Sequence, residues 1–166
     1  MISFQNDILP LKNELFRLSL RITQNRAEAE DIVQDTMLKI WNRRDDWSQI
    51  DNIEAFCLTM CRNLALDRQK RMDNQTDAID EHPEAADLSH VSNPEEQAVQ
   101  RDRVQLVRRL MNLLPEKQRS CMQLRDIEGK SYRDIANIMN ITEQQVKVNI
   151  FRARQTVKEK FFRLSL

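Results

Sequence analysis

The chain has 166 residues, enough for one ordinary domain or two small ones. One glycine, four prolines and 40% hydrophobic residues favour helices over turn-rich sheet. Charged residues make up 31% of the chain, and no run of 18 apolar residues exists, which argues against a transmembrane span; the N-terminus also lacks the pattern of a signal peptide. We therefore expect an all-α protein that is cytoplasmic and does not insert into a membrane.

The first part of the chain predicts two helices separated by a polar break at Asn25 and Arg26. The first covers about 8–23. The second covers about 27–44. Its predicted core stripe consists of Val33, Met37, Ile40 and Trp41.

Another face of this second helix carries two carboxylates and an amide beside one apolar residue. Its residues, at positions i, i+3, i+4 and i+7, are Asp31, Gln34, Asp35 and Leu38. Periodicity alone favours a plain solvated face, with a binding surface as the alternative.

A polar loop carrying Trp47 follows, and then a third helix over about 53–71. Its apolar positions, predicted to face inward, are Phe56, Met60 and Leu64, with Cys57 or Cys61. Its C-terminal half is rich in cations and also carries Asn63. Cations there complement the helix dipole, but they equally suit contacts to phosphates and base edges. For Trp47, packing is favoured over base stacking.

Three cysteines, Cys57, Cys61 and Cys121, form an odd set without a disulfide-like pattern. Two thiolates four residues apart could hold a metal ion, but no nearby His or Cys completes a site. We therefore predict that the thiols are small buried apolar groups, and we predict neither a metal site nor a cofactor.

Charge is distributed unevenly although the net charge is zero. Residues 1–71 are neutral, residues 72–100 carry eight acidic and no basic side chains, and residues 101–166 carry 15 basic and seven acidic ones. The acidic stretch has two prolines and no hydrophobic period, so residues 73–93 are predicted to be a flexible linker. Its two histidines, His82 and His90, are interpreted as solvated rather than as metal ligands. The basic end suits a polyanion such as nucleic acid.

The C-terminal part begins with two predicted helices. One covers about 95–113, and its predicted stripe consists of Val99, Val104, Val107, Leu110 and Met111. The other covers about 115–127, with Pro115 in its first turn. Gly129, the sole glycine, suits a left-handed stop after it.

Two further capped helices predict a helix-turn-helix. Ser131 with Asp134 opens the first, Asn140 occupies the turn, and Thr142 with Gln145 opens the second. In the second helix the predicted core residues are Val146, Ile150, Ala153 and Val157. The opposite face presents Gln145, Val148, Asn149 and Arg152. Amides and Arg can read adenine and guanine edges, and a Val methyl can touch thymine.

Both halves resemble one family, the sigma-70 type sigma factors of the extracytoplasmic-function group. LFRLSLRITQNRAEAEDIVQDTMLKIW looks like the helices that dock on the polymerase clamp, and NIEAFCLTMCRNLALDRQKR is similar to the element that reads the −10 promoter region. The segment from LLPEKQRS to RQTVKEKF resembles the −35-binding module. The chain is thus predicted to have two small helical domains, 1–72 and 94–166, joined by the linker 73–93; we call them the N-terminal and C-terminal modules.

The resemblance implies partners and site residues. The partners are core RNA polymerase, through the clamp of its largest subunit and the flap of its second-largest subunit, promoter DNA, and an anti-sigma protein as a candidate. The polymerase-binding residues are Asp31, Gln34, Asp35 and Leu38, and the −10-binding residues are Arg62, Asn63, Asp67, Arg68 and Arg71. The −35-binding residues are Ser131, Tyr132, Gln145, Lys147, Val148, Asn149, Arg152 and Arg154.

The chain departs from the family at three places of the second module. Asn140 stands where Gly is frequent, Gln144 stands where a small residue is frequent, and Val148–Asn149 replaces a frequent Ser-Arg pair. The last change alters the expected −35 preference. A rival interpretation is a helix-turn-helix regulator that never joins polymerase, and it leaves the face at 31–38 without a purpose. An enzyme is not expected, because no phosphate loop, HExxH pair or Cys–His proximity occurs in the sequence.

Overall fold

The computed structural model describes residues 1–75 and 94–164, and within these ranges it contains helices and no strand. The α-helices are α1 (Lys12–Thr23), α2 (Arg26–Asn42), α3 (Ile53–Gln75), α4 (Pro94–Asn112), α5 (Glu116–Met122), α6 (Tyr132–Met139) and α7 (Glu143–Leu164). The all-α prediction is confirmed. The predicted linker lies outside the described residues except for positions 73–75, which continue α3 beyond its predicted end at 71.

The chain is already helical before α1 begins. A π-helical turn at Phe4–Ile8 and a 3-10 turn at Leu9–Leu11 lead into it. At the other end Gln24 has a left-handed backbone, with φ of 56°, which stops α1. Asn25 then caps α2 by accepting a hydrogen bond from the backbone N–H of Glu28 at 3.0 Å. The predicted break therefore consists of a helix stop and a helix start in adjacent residues.

The buried face of α2 is rotated relative to the predicted stripe. Its buried residues are Ala29, Ile32, Val33, Thr36 and Ile40. Trp41, predicted to be in the core, is 43% exposed. At about 100° per residue, Trp41 lies roughly 120° from the centre of the buried stripe. The stripe predicted from the sequence is centred too close to Trp41 and too far from Ile32.

Most of the residues that α3 buries in the core are small. Ala55, Cys57, Leu58, Cys61 and Ala65 are buried, whereas the larger predicted residues Phe56, Met60 and Leu64 are half-buried and pack at the edge of the core. The prediction that the cysteines are buried is confirmed.

Helix α4 packs on α7 only near its own C-terminus. Leu110 and Met111 are buried there together with Ala153 and Val157. Val99 and Val104 are exposed, so their predicted place in the core is wrong. The apolar residues of α4 that pack in this cluster begin at Leu106.

The predicted signals of the helix-turn-helix are all present. Ser131 accepts from the N–H of Asp134 at 3.0 Å, and Asn140 takes a left-handed φ of 56°. The Thr142 hydroxyl and the Gln145 side chain accept reciprocally from each other's backbone N–H groups at 3.1 and 2.9 Å. Gly129, with φ of 73°, stands before α6 as the predicted left-handed stop. The predicted core residues of α7 are buried.

The two modules touch in this structure. Helices α1 and α3 pack against α5 and α6. One cluster of buried apolar residues includes Leu18 and Leu58 of the N-terminal module with Leu124 and Ile138 of the C-terminal module. The candidate binding surfaces lie around this shared core.

Candidate polymerase and nucleic-acid interfaces

The predicted polymerase-binding residues share one accessible side of α2. Asp31, Gln34 and Leu38 are exposed, and Asp35 is half-buried. Leu38 leaves 59% of its surface in solvent. This side of α2 therefore combines carboxylate and amide groups with one exposed apolar side chain.

Arg68 joins this face to the predicted −10 element. From α3 its guanidinium donates to Asp31 at 2.8 Å, to Asp35 at 3.3 Å, and to Glu28. The hydrogen bond to Glu28, followed by that to Asp31, raises the pKa of Arg68. Two predicted sites therefore meet in one ion-pair cluster, and Arg68 partly neutralises the acidic face.

The other predicted −10 residues are placed unequally. Asn63, Asp67 and Arg71 are exposed on α3. Arg62 is buried, and its Nη2 donates to Glu116 of α5 at 2.7 Å. In this arrangement the guanidinium of Arg62 lies under the C-terminal module and does not face solvent.

Trp41 was predicted to lie in the core, but it is partly exposed. Its ring packs edge-on against Phe4 and Trp47, with centroids 5.5 and 6.1 Å away, and Arg44 lies 4.6 Å over it. Trp47 is buried and donates from its indole N–H to the carbonyl of Ile40 at 3.0 Å, which supports the packing interpretation. The accessible aromatic surface beside Leu38 is therefore that of Trp41.

The predicted reading face of α7 is accessible. Gln145 and Arg152 are exposed, and Val148 and Asn149 are half-buried. Asn149 donates to the backbone carbonyl of Gln145 at 2.8 Å. The Gln145 side-chain oxygen is used in the cap, whereas the Arg152 side chain is exposed.

The other residues predicted to bind the −35 element already have partners within the C-terminal module. Tyr132 lies under two cations, with Arg125 at 4.3 Å and Lys147 at 5.5 Å from the ring centroid. Arg154 donates to Asp126 at 3.0 Å, and this bond raises its pKa. Ser131 serves as the α6 cap.

Phe151 was missed by the sequence analysis. It is 68% exposed on α7, where it lies beside Val148 on the side away from Arg152. The signal was available, because Phe151 stands outside the core stripe that Val146, Ile150 and Ala153 define. An exposed ring next to a reading face can contact a thymine methyl.

The thiols have the character of core groups. Burial raises the pKa of Cys57 to about 12 and those of Cys61 and Cys121 to about 11. The Ser19 hydroxyl lies 2.9 Å from the sulfur of Cys61. Within residues 1–75 and 94–164, no three His, Cys, Asp or Glu side chains come together as a metal site would require. No helix in these ranges has the length and apolarity to cross a membrane.

Comparison with known proteins identifies both modules. Residues 8–74 match the family model for sigma-70 region 2, and residues 105–157 match the model for sigma-70 region 4. The RNA polymerase sigma-H factor of Pseudomonas aeruginosa is 30% identical over 161 residues, covering 91% of this chain and 83% of that protein. The ECF RNA polymerase sigma-E factor of Escherichia coli is 29% identical over 141 residues, covering 81% of this chain and 74% of that protein.

The fold has a counterpart among solved structures. The sigma factor RpoE in complex with the anti-sigma factor NepR, from Bartonella quintana, superposes with a TM-score of 0.76 at 23% identity. The match covers 98% of each chain and thus includes both modules.

Proposed function

Because the chain belongs to the sigma-70 family of RNA polymerase sigma factors, in its extracytoplasmic-function group, we propose that it binds core RNA polymerase and directs it to promoters with −10 and −35 elements. One observation carries the proposal: a single chain combines an accessible acidic and apolar face on α2 with an accessible reading face on α7. A sigma factor needs both surfaces. A helix-turn-helix regulator acting alone needs only the second.

In the proposed mechanism the N-terminal module binds the clamp of the largest polymerase subunit. Asp31, Gln34 and Asp35 supply the polar contacts, and Leu38 supplies an apolar one. We add Trp41 to this surface, because it is accessible and its ring packs edge-on against Phe4 and Trp47. Rigid aromatic side chains bury a large area at a low cost in conformational entropy.

The C-terminal module binds the −35 element with α7 in the major groove while it contacts the flap of the second-largest subunit. Arg152, Asn149 and Val148 would meet base edges, with Phe151 against a thymine methyl. Tyr132, Lys147 and Arg154 would position the helix on the phosphates. The exposed charge of Arg152 has no hydrogen-bond partner within the described part of the chain, so no internal bond need break before it reads a base.

The −10 element is assigned to α3 and the preceding loop. Asn63, Asp67 and Arg71 are accessible for this role. Extruding a base costs a few kcal/mol, which a protein pocket can offset by stacking and hydrogen bonding. Trp47 is buried, so base stacking would need another residue or a rearrangement of the loop.

Two parts of the proposal concern partners and the linker. An anti-sigma protein is a candidate partner, as the complex of the Bartonella sigma factor suggests. The acidic linker would thread the positively charged RNA path until the transcript displaces it. That segment lies outside the described residues. No catalysis and no cofactor are part of the proposal.

Binding to a promoter fragment in the presence and absence of core polymerase tests the proposal against its rival. We expect weak binding of the protein alone and a strong, sequence-dependent complex once the host's core polymerase is added. Core polymerase without the protein is the control for polymerase binding by itself. Full sequence-specific binding without polymerase, unchanged by its addition, would favour an independent helix-turn-helix regulator.

A further inference from the structure

Three arginines from three helices lie around the C-terminal end of α4. Arg21 belongs to α1, Arg108 to α4 itself, and Arg119 to α5. Two of them bind the last residue of α4: Arg21 donates from Nη1 to the side-chain oxygen of Asn112 at 2.9 Å, and Arg119 donates from Nη1 to the backbone carbonyl of Asn112 at 3.2 Å. We call Arg21, Arg108 and Arg119 the arginine cluster.

The positive charges of the arginine cluster act on one another. Burial is the largest cause that lowers the pKa of Arg21, to about 10, and the charges of Arg108 and Arg119 lower it further, while the charge of Glu128 opposes the change. At neutral pH Arg21 is still charged. It therefore carries its charge in a partly desolvated position that other cations surround.

No carboxylate accepts a hydrogen bond from the arginine cluster in the described part of the chain. Arg21 instead donates to neutral oxygens, of Gln123 at 2.8 Å, of Asn112, and of the Arg108 backbone at 3.4 Å. A guanidinium that is partly removed from water is usually paired with an anion, because the loss of its hydration is otherwise poorly compensated.

The acidic groups whose charges reach the arginine cluster bind other residues. Glu128 accepts two hydrogen bonds from Arg17, at 2.6 and 2.8 Å. Glu116 accepts a hydrogen bond from Arg62 at 2.7 Å. Each of these carboxylates thus neutralises a cation that is not part of the cluster.

Capping of α4 explains part of this arrangement. The last carbonyls of a helix lack partners within the helix and carry partial negative charge, so cations stabilise them. Arg21 and Arg119 have this role, and Gln24 adds a hydrogen bond to the carbonyl of Asn112 at 2.9 Å. Capping does not require three cations, however. It also leaves the Nε of Arg119 buried with no hydrogen-bond partner among residues 1–75 and 94–164.

We propose that the arginine cluster is a binding site for a small phosphate anion, either inorganic phosphate or the terminal phosphate of a nucleotide. The planar donors of guanidinium groups match phosphate oxygens, and three cations suit a dianion better than a single carboxylate. A bound phosphate would offset the repulsion within the cluster and offer an acceptor to the Nε of Arg119. The inference goes beyond the proposed function and does not depend on it.

The surroundings favour a terminal phosphate over one within a nucleic-acid strand. Arg21 and Arg119 are half-buried, and Gln123 beside them is 1% exposed, whereas Arg108 is exposed. An anion would therefore enter from the side of Arg108. A phosphodiester has a nucleoside on each side and could not insert as far between the helices.

Isothermal titration calorimetry of the full chain with inorganic phosphate, in chloride buffer of low ionic strength at neutral pH, tests the proposal. We expect saturable binding at one site. Arg108→Gln should weaken it on the order of tenfold, because a charge-assisted hydrogen bond is lost. The variant should fold, since Arg108 is exposed and Arg21 binds its backbone carbonyl, which the substitution keeps.

The matched control is Arg109→Gln, the same change at the next residue of α4, which is also exposed. Arg109 is not among the charges that lower the pKa of Arg21, so this variant should bind phosphate as wild type does. Phosphate should also raise the unfolding temperature of wild type and Arg109→Gln more than that of Arg108→Gln at equal ionic strength. Equal phosphate affinity of the two variants would overturn the proposal, because general attraction to positive charge would then explain the binding.

The source of the phosphate is distinguished by comparing inorganic phosphate, AMP and a dinucleoside monophosphate, whose phosphate is a diester. Tighter binding of AMP would support a nucleotide as the ligand, and equal or weaker binding would support inorganic phosphate. Absence of saturable binding of both by wild type would overturn the proposal. Binding of the diester at least as tight as that of AMP, with the same loss in Arg108→Gln, would also overturn it, in favour of a nucleic-acid backbone.

Discussion

The basic half of α3 and the reading face of α7 carry similar side chains in opposite situations. On α3, Arg62 is buried against Glu116, and Arg68 is surrounded by three carboxylates. On α7, Arg152 and Gln145 are exposed. This difference shows that a sequence pattern typical of DNA binding does not reveal whether its cations are available to bind DNA. Availability depends on partners distant in sequence, as the 54-residue separation of Arg62 from Glu116 illustrates.

The largest expected effect comes from reversing the charge of the acidic face of α2, which Arg68 of α3 contacts. Asp31→Lys with Asp35→Lys should lower affinity for core polymerase about 100-fold or more, because like charges would meet at the interface and Arg68 would lose two partners. Co-elution on size exclusion measures it. Asp45→Lys with Asp46→Lys, an exposed pair in the same module, is the matched control and should co-elute normally. Normal co-elution of the first variant would remove the assignment of this face.

The next largest effect concerns the affinity for DNA and comes from replacing the exposed Arg152 of α7. Arg152→Ala should cost about 1–3 kcal/mol on one −35 sequence and little on DNA with that base pair changed, because it removes a base contact. Competition binding of the polymerase complex to a set of −35 variants measures it. Lys158→Ala, an exposed cation farther along α7, should weaken all sequences alike or have no effect. An equal loss on every sequence for Arg152→Ala would mean that the reading face is assigned wrongly.

A smaller effect concerns the turn that orients this reading face. Asn140→Ala should destabilise the chain by about 1–2 kcal/mol, because alanine tolerates the left-handed backbone at φ of 56° less well than asparagine. Asn140→Gly should be neutral or slightly stabilising. Urea denaturation of the three proteins measures the difference. The reverse order of stability would show that the turn is not left-handed in solution.

The smallest effect concerns the core beneath both regions and depends on pH. The pKa of Cys57 is raised to about 12, above the ordinary thiol value of 9.0, because its charged form would be buried. The native thiol therefore holds its proton more tightly than the unfolded one, so its stabilising contribution is fully present below about pH 9 and is lost as pH rises toward about 12. The slope approaches roughly 1.4 kcal/mol per pH unit for one thiol.

Urea denaturation between pH 8 and pH 10 compares wild type with Cys57→Ala. Wild type should lose stability faster as the pH rises, although the variant starts from a lower value. Parallel curves would show that the thiol does not titrate on unfolding as its burial implies.

The helix-turn-helix could be predicted nearly residue by residue, because its determinants are local. Caps at Ser131 and Thr142, the turn at Asn140 and a regular apolar stripe in α7 all act within a few residues. The predicted stripe of α2 includes the buried residues Val33 and Ile40 but is centred too close to Trp41, because the side facing Ile32 is chosen by packing against α1 and α3. Val99 and Val104 show the same limit, since periodicity does not show which part of a helix has a packing partner.

The site residues show the same division between features set by nearby residues and features set by distant segments. The sequence indicated the face at 31–38 and the face at 145–152, and both are accessible. It gave no sign that Arg62 would be buried, that Arg68 would bind the acidic face, or that the modules would be joined through Arg17 and Glu128. These are contacts between distant segments, and only the fold reveals them.

Mapping transcript starts tests the central claim most directly. The purified chain is mixed with sigma-free core polymerase and genomic DNA of the same organism, and the 5′ ends of the transcripts are sequenced. The account predicts starts that share a two-part upstream motif, are absent without the protein, and decline strongly with Asp31→Lys and Asp35→Lys. No new starts with that organism's own core polymerase would contradict the account.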